Sequence, residues 1–79
     1  MKVWNYEYGT GKFMLKLTER EQQVLNLVVE GKTNSEIGDS LFISFHTVKV
    51  YLEKLYEKFG VKNRVQLVVK AIQLKIIDL

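Results

Sequence analysis

Residues 33–49 of this 79-residue chain read TNSEIGDSLFISFHTVK and decide its fold. Thr33 and Glu36 have the spacing of a capping box, in which each side chain accepts a hydrogen bond from the other residue's backbone N–H and so starts a helix. Ser44 is a favourable N-cap for a second helix. The stretch therefore predicts a short helix over about 34–41, a tight turn and a following helix, which together make a helix-turn-helix.

The residues before this stretch predict another helix. Thr18 and Glu21 have the same capping-box spacing, and Gly31 readily adopts the left-handed conformation that ends a helix. We therefore expect a helix over about 19–30.

The residues after the stretch predict two longer helices. The helix that follows Ser44 is expected to span 45–59, because Gly60 can end it. Asn63 is an N-cap, so a last helix is expected over 64–76. The predicted fold is all-α, a four-helix helix-turn-helix domain that occupies residues 17–79.

The first 16 residues follow a different pattern. Trp4, Tyr6 and Tyr8 alternate with polar residues, and two glycines follow them before the next apolar run. Alternation of this kind around a glycine turn is typical of a hairpin. We predict a short N-terminal arm or hairpin over 1–16, which either packs its aromatic residues on the helical core or remains a partly ordered arm.

Composition excludes several classes of protein. The chain has no cysteine and one histidine, so it predicts no disulfide, no Cys/His zinc site and no cofactor, and we set an enzymatic function aside. Its apolar runs are shorter than the roughly 20 residues that span a bilayer, and the N-terminus lacks the apolar core of a secretory signal. We expect a cytoplasmic protein with no membrane contact and no small-molecule ligand.

Charge is distributed unevenly along the chain. The formal net charge is +3, but residues 18–43 are net acidic and residues 44–64 are net basic. A basic helix and the loop after it can face a polyanion, of which nucleic acid is the commonest. A solvated lysine-rich face explains the same charges without any partner.

The third predicted helix has two opposite faces. At about 100° per residue, its core stripe consists of Val48, Leu52, Leu55 and Phe59. The opposite arc has Lys49 on one flank and Thr47 and Lys54 on the other. Four residues on this side are candidates to read DNA bases: His46, Lys49, Val50 and Glu53.

The chemistry of these four side chains suits the major groove. Lys49 can reach guanine acceptors, Val50 can contact a thymine methyl group, and Glu53 can accept a hydrogen bond from cytosine N4. His46 can meet a base edge or a phosphate. Two alternatives stay open, since single exposed apolar residues such as Val50 are common and Glu53 can simply pair with Lys49 one turn earlier.

The order of short motifs along the chain resembles the LuxR/FixJ/GerE-type helix-turn-helix. The resemblance covers residues 17–71 and rests on these segments: Leu17-Thr18-Glu19-Arg20-Glu21, Gly31-Lys32-Thr33-Asn34-Ser35-Glu36-Ile37, Ile43-Ser44, Thr47-Val48-Lys49 and Gly60-Val61-Lys62-Asn63-Arg64. It implies a bacterial transcription regulator that binds DNA through four helices, usually as a dimer. The chain is similar either to free-standing GerE-like members or to the effector domain of a longer regulator.

The same resemblance implies roles for individual residues. It implies that Lys49 and Val50 enter the major groove. It also implies a set that holds the DNA backbone, to which we add the flanking Lys54: Thr33, Asn34, Ser44, Thr47, Lys62, Asn63 and Arg64. Backbone contacts fix the register of the protein, whereas the third helix supplies the preference for sequence.

Four residues depart from the family pattern. Gly38 stands where alanine is typical, which predicts either a tight approach to the third helix or a softened helix. Lys75 stands where many relatives have glycine, so the last turn is expected to differ. Tyr51 replaces a common histidine, and Glu53 replaces the basic or amide residue of some relatives.

The last predicted helix is apolar on two separate arcs. Leu67, Ala71 and Leu74 form one arc, which the core requires. The second arc is predicted to bind a second copy of the chain and consists of Val65, Val69, Ile72 and Ile76. The alternative is that the N-terminal aromatic residues cover this second arc.

Two functions follow from these patterns. The first is a sequence-specific transcription regulator that places the 45–59 helix in the major groove of double-stranded DNA and forms a homodimer through the 64–76 helix. The alternative is a protein-interaction module that pairs with a related regulator and inhibits it. Glu53 and the modest net charge favour the alternative.

Overall fold

The computed structural model describes the backbone of residues 3–8 and 13–75 and the side chains of residues 15–75. Within these ranges a hairpin precedes four helices, in the order β1 (Val3–Tyr8), β2 (Phe13–Thr18), α1 (Glu19–Val29), α2 (Asn34–Leu41), α3 (Phe45–Phe59) and α4 (Arg64–Gln73). The predicted four-helix helix-turn-helix fold is confirmed. The described helices include none that is long and apolar enough to cross a membrane.

The predicted N-caps start all four helices. Thr18 and Thr33 each form a complete capping box with the glutamate three residues later. Ser44 Oγ accepts a hydrogen bond from the Thr47 N–H at 3.0 Å, and Asn63 Oδ1 accepts one from the Gln66 N–H at 2.9 Å. These bonds satisfy backbone donors that have no partner within the helix, and for this reason local sequence fixes the helix starts.

The end of the last helix differs from the prediction of 64–76. Helix α4 ends at Gln73, and Leu74 is its C-cap. Lys75 adopts a left-handed conformation with φ of 55°, which cannot continue a right-handed helix. This is the position at which the family resemblance led us to expect glycine, the residue that takes this conformation most easily. Ile76 lies outside the described residues.

One apolar core joins the helices and the second strand. Its fully buried members include Leu17 of β2, Leu25 of α1, Ile37 of α2, Leu55 of α3 and Leu67 of α4. The predicted core stripe of α3 is buried along its whole length. Truncation of such a leucine to alanine typically costs about 2–5 kcal/mol of stability.

Gly38 marks a close approach between α2 and the turn that follows it. A Cβ atom at this position would lie 2.7 Å from the backbone oxygen of Ile43 and 3.6 Å from Cγ2 of Val48. The Ile43 N–H also donates a hydrogen bond of 3.0 Å to the Gly38 carbonyl. The structure therefore favours tight packing as the reason for glycine, and the closest contact is with the turn.

The N-terminal strands form an antiparallel hairpin. Trp4 pairs with Leu17 and Tyr6 pairs with Leu15, so these four positions lie on the same face of the hairpin. The side chains of Leu15 and Leu17 are buried in the core. Strand β2 runs through the predicted boundary at residue 16 and leads directly into α1 through Thr18.

A partly buried ion pair ties the hairpin, α1 and the end of α3 together. The Lys58 ammonium donates hydrogen bonds of 2.6 Å to Glu21 Oε1 and 2.9 Å to the Lys16 carbonyl oxygen. Burial of Glu21 raises the pKa of its carboxyl group, but the hydrogen bonds from Lys58 and Thr18 and the charge of Lys58 outweigh burial and lower the pKa below its ordinary value of 4.5. The carboxylate is therefore held in its charged form.

Candidate nucleic-acid interface

The exposed side of α3 presents the predicted base-reading residues together. His46, Lys49 and Glu53 are exposed, and Val50 is 36% exposed. Val48 and Leu52, on the opposite side of the helix, are buried. The sequence pattern therefore separated the buried face of α3 from the exposed face correctly.

The first turn of α3 is built around two hydroxyl groups. The hydroxyl oxygens of Ser44 and Thr47 lie 2.9 Å apart, and the Ser44 oxygen also caps the helix. The Ser44 side chain is exposed and the Thr47 side chain is half-buried. A helix N-terminus carries a partial positive charge, so these hydroxyl groups lie where an anionic group such as a phosphate is favoured.

A second polar cluster forms where the N-termini of α2 and α4 meet. The Arg64 guanidinium donates one hydrogen bond to Asn34 Oδ1 at 2.8 Å and another to the Lys32 carbonyl oxygen. These bonds bring together the residues of both helices that are predicted to contact the DNA backbone. The resulting cluster consists of Thr33, Asn34, Lys62, Asn63 and Arg64. We call this set the α2–α4 cluster.

The members of the α2–α4 cluster are partly occupied by bonds within the protein. Thr33 and Asn63 cap their helices through their side-chain oxygens, and Asn34 accepts from Arg64. The Lys62 side chain is exposed and has an ammonium group that can reach outward. The structure thus gives Arg64 a positioning role that the sequence did not reveal, because its partner Asn34 lies 30 residues earlier.

Charges on the exposed face of α3 are mixed. Lys58 and Glu21 form an ion pair, but within residues 15–75 no such pair joins Lys49 to Glu53. The structure therefore lacks the ion pair between Glu53 and Lys49 that the alternative role of Glu53 requires. On the neighbouring flank, the Lys54 ammonium lies 5.7 Å from the centroid of the Tyr51 ring, within the range of a cation–π contact.

Two phenylalanines beside the turn are exposed, and the sequence analysis did not single them out. Phe42 is 94% exposed and Phe45 is 53% exposed. Phe42 also adopts a left-handed conformation, with φ of 58° and ψ of 42°, as the C-cap of α2. The sequence held one indication of the exposure of Phe45. On a helical projection Phe45 falls between the core stripe and Lys49, so it belongs clearly to neither the buried face nor the exposed face of α3.

The second apolar arc of α4 lies open to solvent. Val65 is 73% exposed, Val69 is 47% exposed and Ile72 is 44% exposed, whereas Leu67 and Ala71 are buried. The N-terminal aromatic side chains, which the alternative places over this arc, lie outside the described side chains. The fourth predicted member, Ile76, lies outside the described residues.

These features define a helix-turn-helix domain, in which a short helix and a tight turn position a longer helix whose polar face is exposed. Comparison with known families identifies its type, since the model of the bacterial regulatory proteins of the luxR family matches residues 15–71. The chain belongs to the luxR family of bacterial regulatory proteins.

Individual relatives agree with this assignment. The chain is 48% identical over 64 residues to the CsgBAC operon transcriptional regulatory protein of Escherichia coli (strain K12), covering 81% of this chain and 29% of that protein. It is 41% identical over 63 residues to the spore germination protein GerE of Bacillus subtilis (strain 168), covering 80% of this chain and 85% of GerE. The chain thus spans less than a third of the first relative and most of the second.

A solved structure with a similar fold is that of a Vibrio cholera VqmA-ligand-DNA complex. It superposes with a TM-score of 0.73 and 42% sequence identity, over 75% of this chain and 26% of the VqmA chain. The match therefore lies in one domain of a larger protein.

Proposed function

We propose that this domain binds double-stranded DNA with a preference for sequence and acts as the DNA-binding part of a transcription regulator. The observation that carries the proposal is the exposed face of α3, which presents His46, Lys49, Val50 and Glu53 beside a tight helix-turn-helix turn. The similarity to VqmA, whose structure contains DNA, supports the same partner. A regulator of this kind acts on bacterial DNA and therefore in the cytoplasm.

Base recognition is assigned to the four residues of the exposed face. Lys49 donates hydrogen bonds to guanine O6 or N7, and Val50 contacts a thymine methyl group. His46 contacts a base edge or a nearby phosphate. Glu53 accepts a hydrogen bond from cytosine N4, a role that requires a carboxylate free of an ion pair with Lys49.

Two groups of residues are assigned to the DNA backbone. Ser44, Thr47 and Lys54 belong to α3 or its N-cap, and the α2–α4 cluster lies at the start of two other helices. Within that cluster Lys62 supplies charge, while Arg64 holds Asn34 and the Lys32 carbonyl in place. Contacts of this kind weaken as salt rises, because each neutralised phosphate releases counterions.

Dimer formation is assigned to the exposed arc of α4. Val65, Val69 and Ile72 would pack against the same residues of a second copy, with Ile76 as the fourth predicted member. A symmetric dimer presents two copies of α3 and so requires two related half-sites in the DNA. Sedimentation of the Ile72→Asp variant should show a loss of dimer, while circular dichroism should show unchanged helix content. An unchanged mass would contradict this assignment.

The experiment that tests the proposed function is a salt titration of binding to a random duplex and to a duplex selected from a random pool. Affinity for both should fall steeply with salt, and the selected duplex should bind more tightly at every concentration. Lys70→Ala is the matched control, since it removes one positive charge from α4 outside both proposed contact groups. Failure to bind any duplex at low salt would overturn the proposal and leave the α4 arc as the functional surface of an interaction module.

A further inference from the structure

Phe45 is a large apolar residue at the start of the proposed recognition helix. It is the first residue of α3, and 53% of its surface is exposed. The buried stripe of the helix begins three residues later, at Val48. The proposed contacts with a second copy and with thymine account for the exposed residues of α4 and for Val50, but they leave Phe45 without a role.

The position of Phe45 on the helix places it next to Lys49. The two residues are four apart, which on an α-helix means one turn along the axis and a rotation of about 40°. In helix-turn-helix proteins the N-terminal residues of the recognition helix contact base edges. With α3 in the major groove, Phe45 would therefore lie one helical turn before Lys49, near the bases that Lys49 contacts.

The chemistry of the side chain restricts what it can contact there. A phenyl ring neither donates nor accepts a conventional hydrogen bond, and among the base edges of the major groove the apolar group is the C5-methyl of thymine. Contact between the ring and that methyl group removes apolar surface of both from water. Contact with a phosphate would bring no comparable gain.

We infer that Phe45 is a specificity-determining residue that contacts a thymine methyl group on the Lys49 side of the reading face. This thymine differs from the one assigned to Val50, because residues 45 and 50 are about 7.5 Å apart along the helix axis and project about 140° apart. The inference rests on the proposed function.

The test removes single methyl groups from the DNA. A tightly bound duplex is selected with the wild-type protein, and each thymine of one half-site is replaced in turn by deoxyuridine, which lacks only the methyl group. Affinities are measured for wild type, Phe45→Ala, Val50→Ala and Phe42→Ala. The Phe42→Ala variant is the matched control, since Phe42 is a second exposed phenylalanine beside the same turn.

The expected result is a specific coupling between one side chain and one methyl group. At one thymine, deoxyuridine should weaken wild-type binding about fourfold, the factor that corresponds to burying a methyl-sized group, and should leave binding of Phe45→Ala unchanged. Val50→Ala should lose its sensitivity at a different thymine, and Phe42→Ala should behave as wild type. Circular dichroism should show that all variants keep the wild-type helix content.

Three outcomes would overturn the inference, and the first two are distinguishable from a failure of the proposed function. If wild type and Phe45→Ala respond equally to every replacement, or if the selected half-site lacks a thymine beside the guanine read by Lys49, then Phe45 does not read a methyl group while DNA binding stands. If the wild-type protein binds no duplex, the proposed function fails and the inference fails with it.

Discussion

The two ends of α3 use lysine in opposite ways. Near its start, Lys49 is exposed and forms no ion pair with Glu53. Near its end, Lys58 is bonded to the buried Glu21 carboxylate and to the Lys16 carbonyl. One end of the helix is thus available to a partner while the other holds the fold together, and residue type alone does not distinguish the two lysines.

Replacing each lysine by alanine should separate these roles, and Lys58→Ala should give the largest change in stability. It leaves the Glu21 carboxylate buried without its cation, which should lower the free energy of unfolding by about 2 kcal/mol, between the values for surface and fully buried pairs. Lys49→Ala should change stability by less than about 0.5 kcal/mol. Denaturant unfolding followed by circular dichroism measures both.

The same two variants should rank in the opposite order when their loss of DNA binding is measured. Lys49→Ala should bind its selected duplex about tenfold more weakly and lose preference at one guanine, whereas Lys62→Ala should weaken all duplexes alike. Lys58→Ala, measured where it is fully folded, should keep wild-type base preference. A Lys58→Ala protein that is as stable as wild type would contradict the division of α3 into a binding end and a structural end.

The turn between α2 and α3 should not accommodate even a methyl side chain at residue 38 without a loss of stability. Gly38→Ala adds a Cβ atom that would meet the Ile43 carbonyl oxygen at 2.7 Å, so the backbone of the turn must move. We expect a net loss of about 1 kcal/mol, because the strain of overpacking exceeds the helix propensity that alanine gains over glycine. Thermal unfolding would measure this loss, and a more stable variant would show that the turn moves freely.

Acid should weaken the structural end of the helix. Because the pKa of Glu21 in the folded protein lies below 4.5, its contribution to stability is complete above that pH and is lost as the pH falls through the lower folded value. The Glu21→Gln variant should lose less stability than wild type between pH 6 and the acid range. Denaturant unfolding at several pH values measures the difference, and equal losses in both proteins would exclude the ion pair as the cause.

Part of the acid dependence should remain in Glu21→Gln. The Thr33 backbone N–H donates a hydrogen bond to Glu36, and this bond lowers the pKa of the Glu36 carboxyl group as well. Glu36 is exposed at the start of α2, so its effect should be the smaller of the two. The double variant Glu21→Gln, Glu36→Gln should show the flattest dependence of stability on pH.

The smallest expected effect concerns backbone strain beside the turn. Phe42 is exposed and holds a φ of 58°, a conformation that glycine adopts without a steric cost. Phe42→Gly should stabilise the domain by about 0.5 kcal/mol, since relief of strain slightly exceeds the greater entropy of glycine in the unfolded chain. Thermal unfolding measures it, with Phe45→Gly as a control that should destabilise the start of α3.

Local signals made most of the fold predictable. Capping residues such as Thr33 and Ser44 act on the next three residues, so their effect can be deduced from a short window. The end of α4 could not be deduced in this way, because Lys75 takes a left-handed conformation that its residue type does not favour. Helical periodicity also separated the buried Val48 from the exposed Lys49 on adjacent positions of α3.

Contacts between distant residues were not predictable from the sequence. Lys58 and Glu21 are 37 residues apart, and Arg64 and Asn34 are 30 residues apart. Helical periodicity indicates which face of a helix is polar, but it does not say whether a polar side chain meets another helix or the solvent. For this reason Arg64 and Asn34 were assigned to DNA without their contact with each other, and the Lys58–Glu21 pair was missed.

Methylation protection tests the account most directly, because dimethyl sulfate reacts with guanine N7 in the major groove, one of the two guanine atoms assigned to Lys49. On the selected duplex, the wild-type domain should protect one guanine in each half-site. Lys49→Ala should lose this protection at concentrations that saturate the DNA, while Lys62→Ala should keep it. If the wild-type domain saturates the duplex and every guanine N7 still reacts as in free DNA, α3 does not lie in the major groove and the account is wrong.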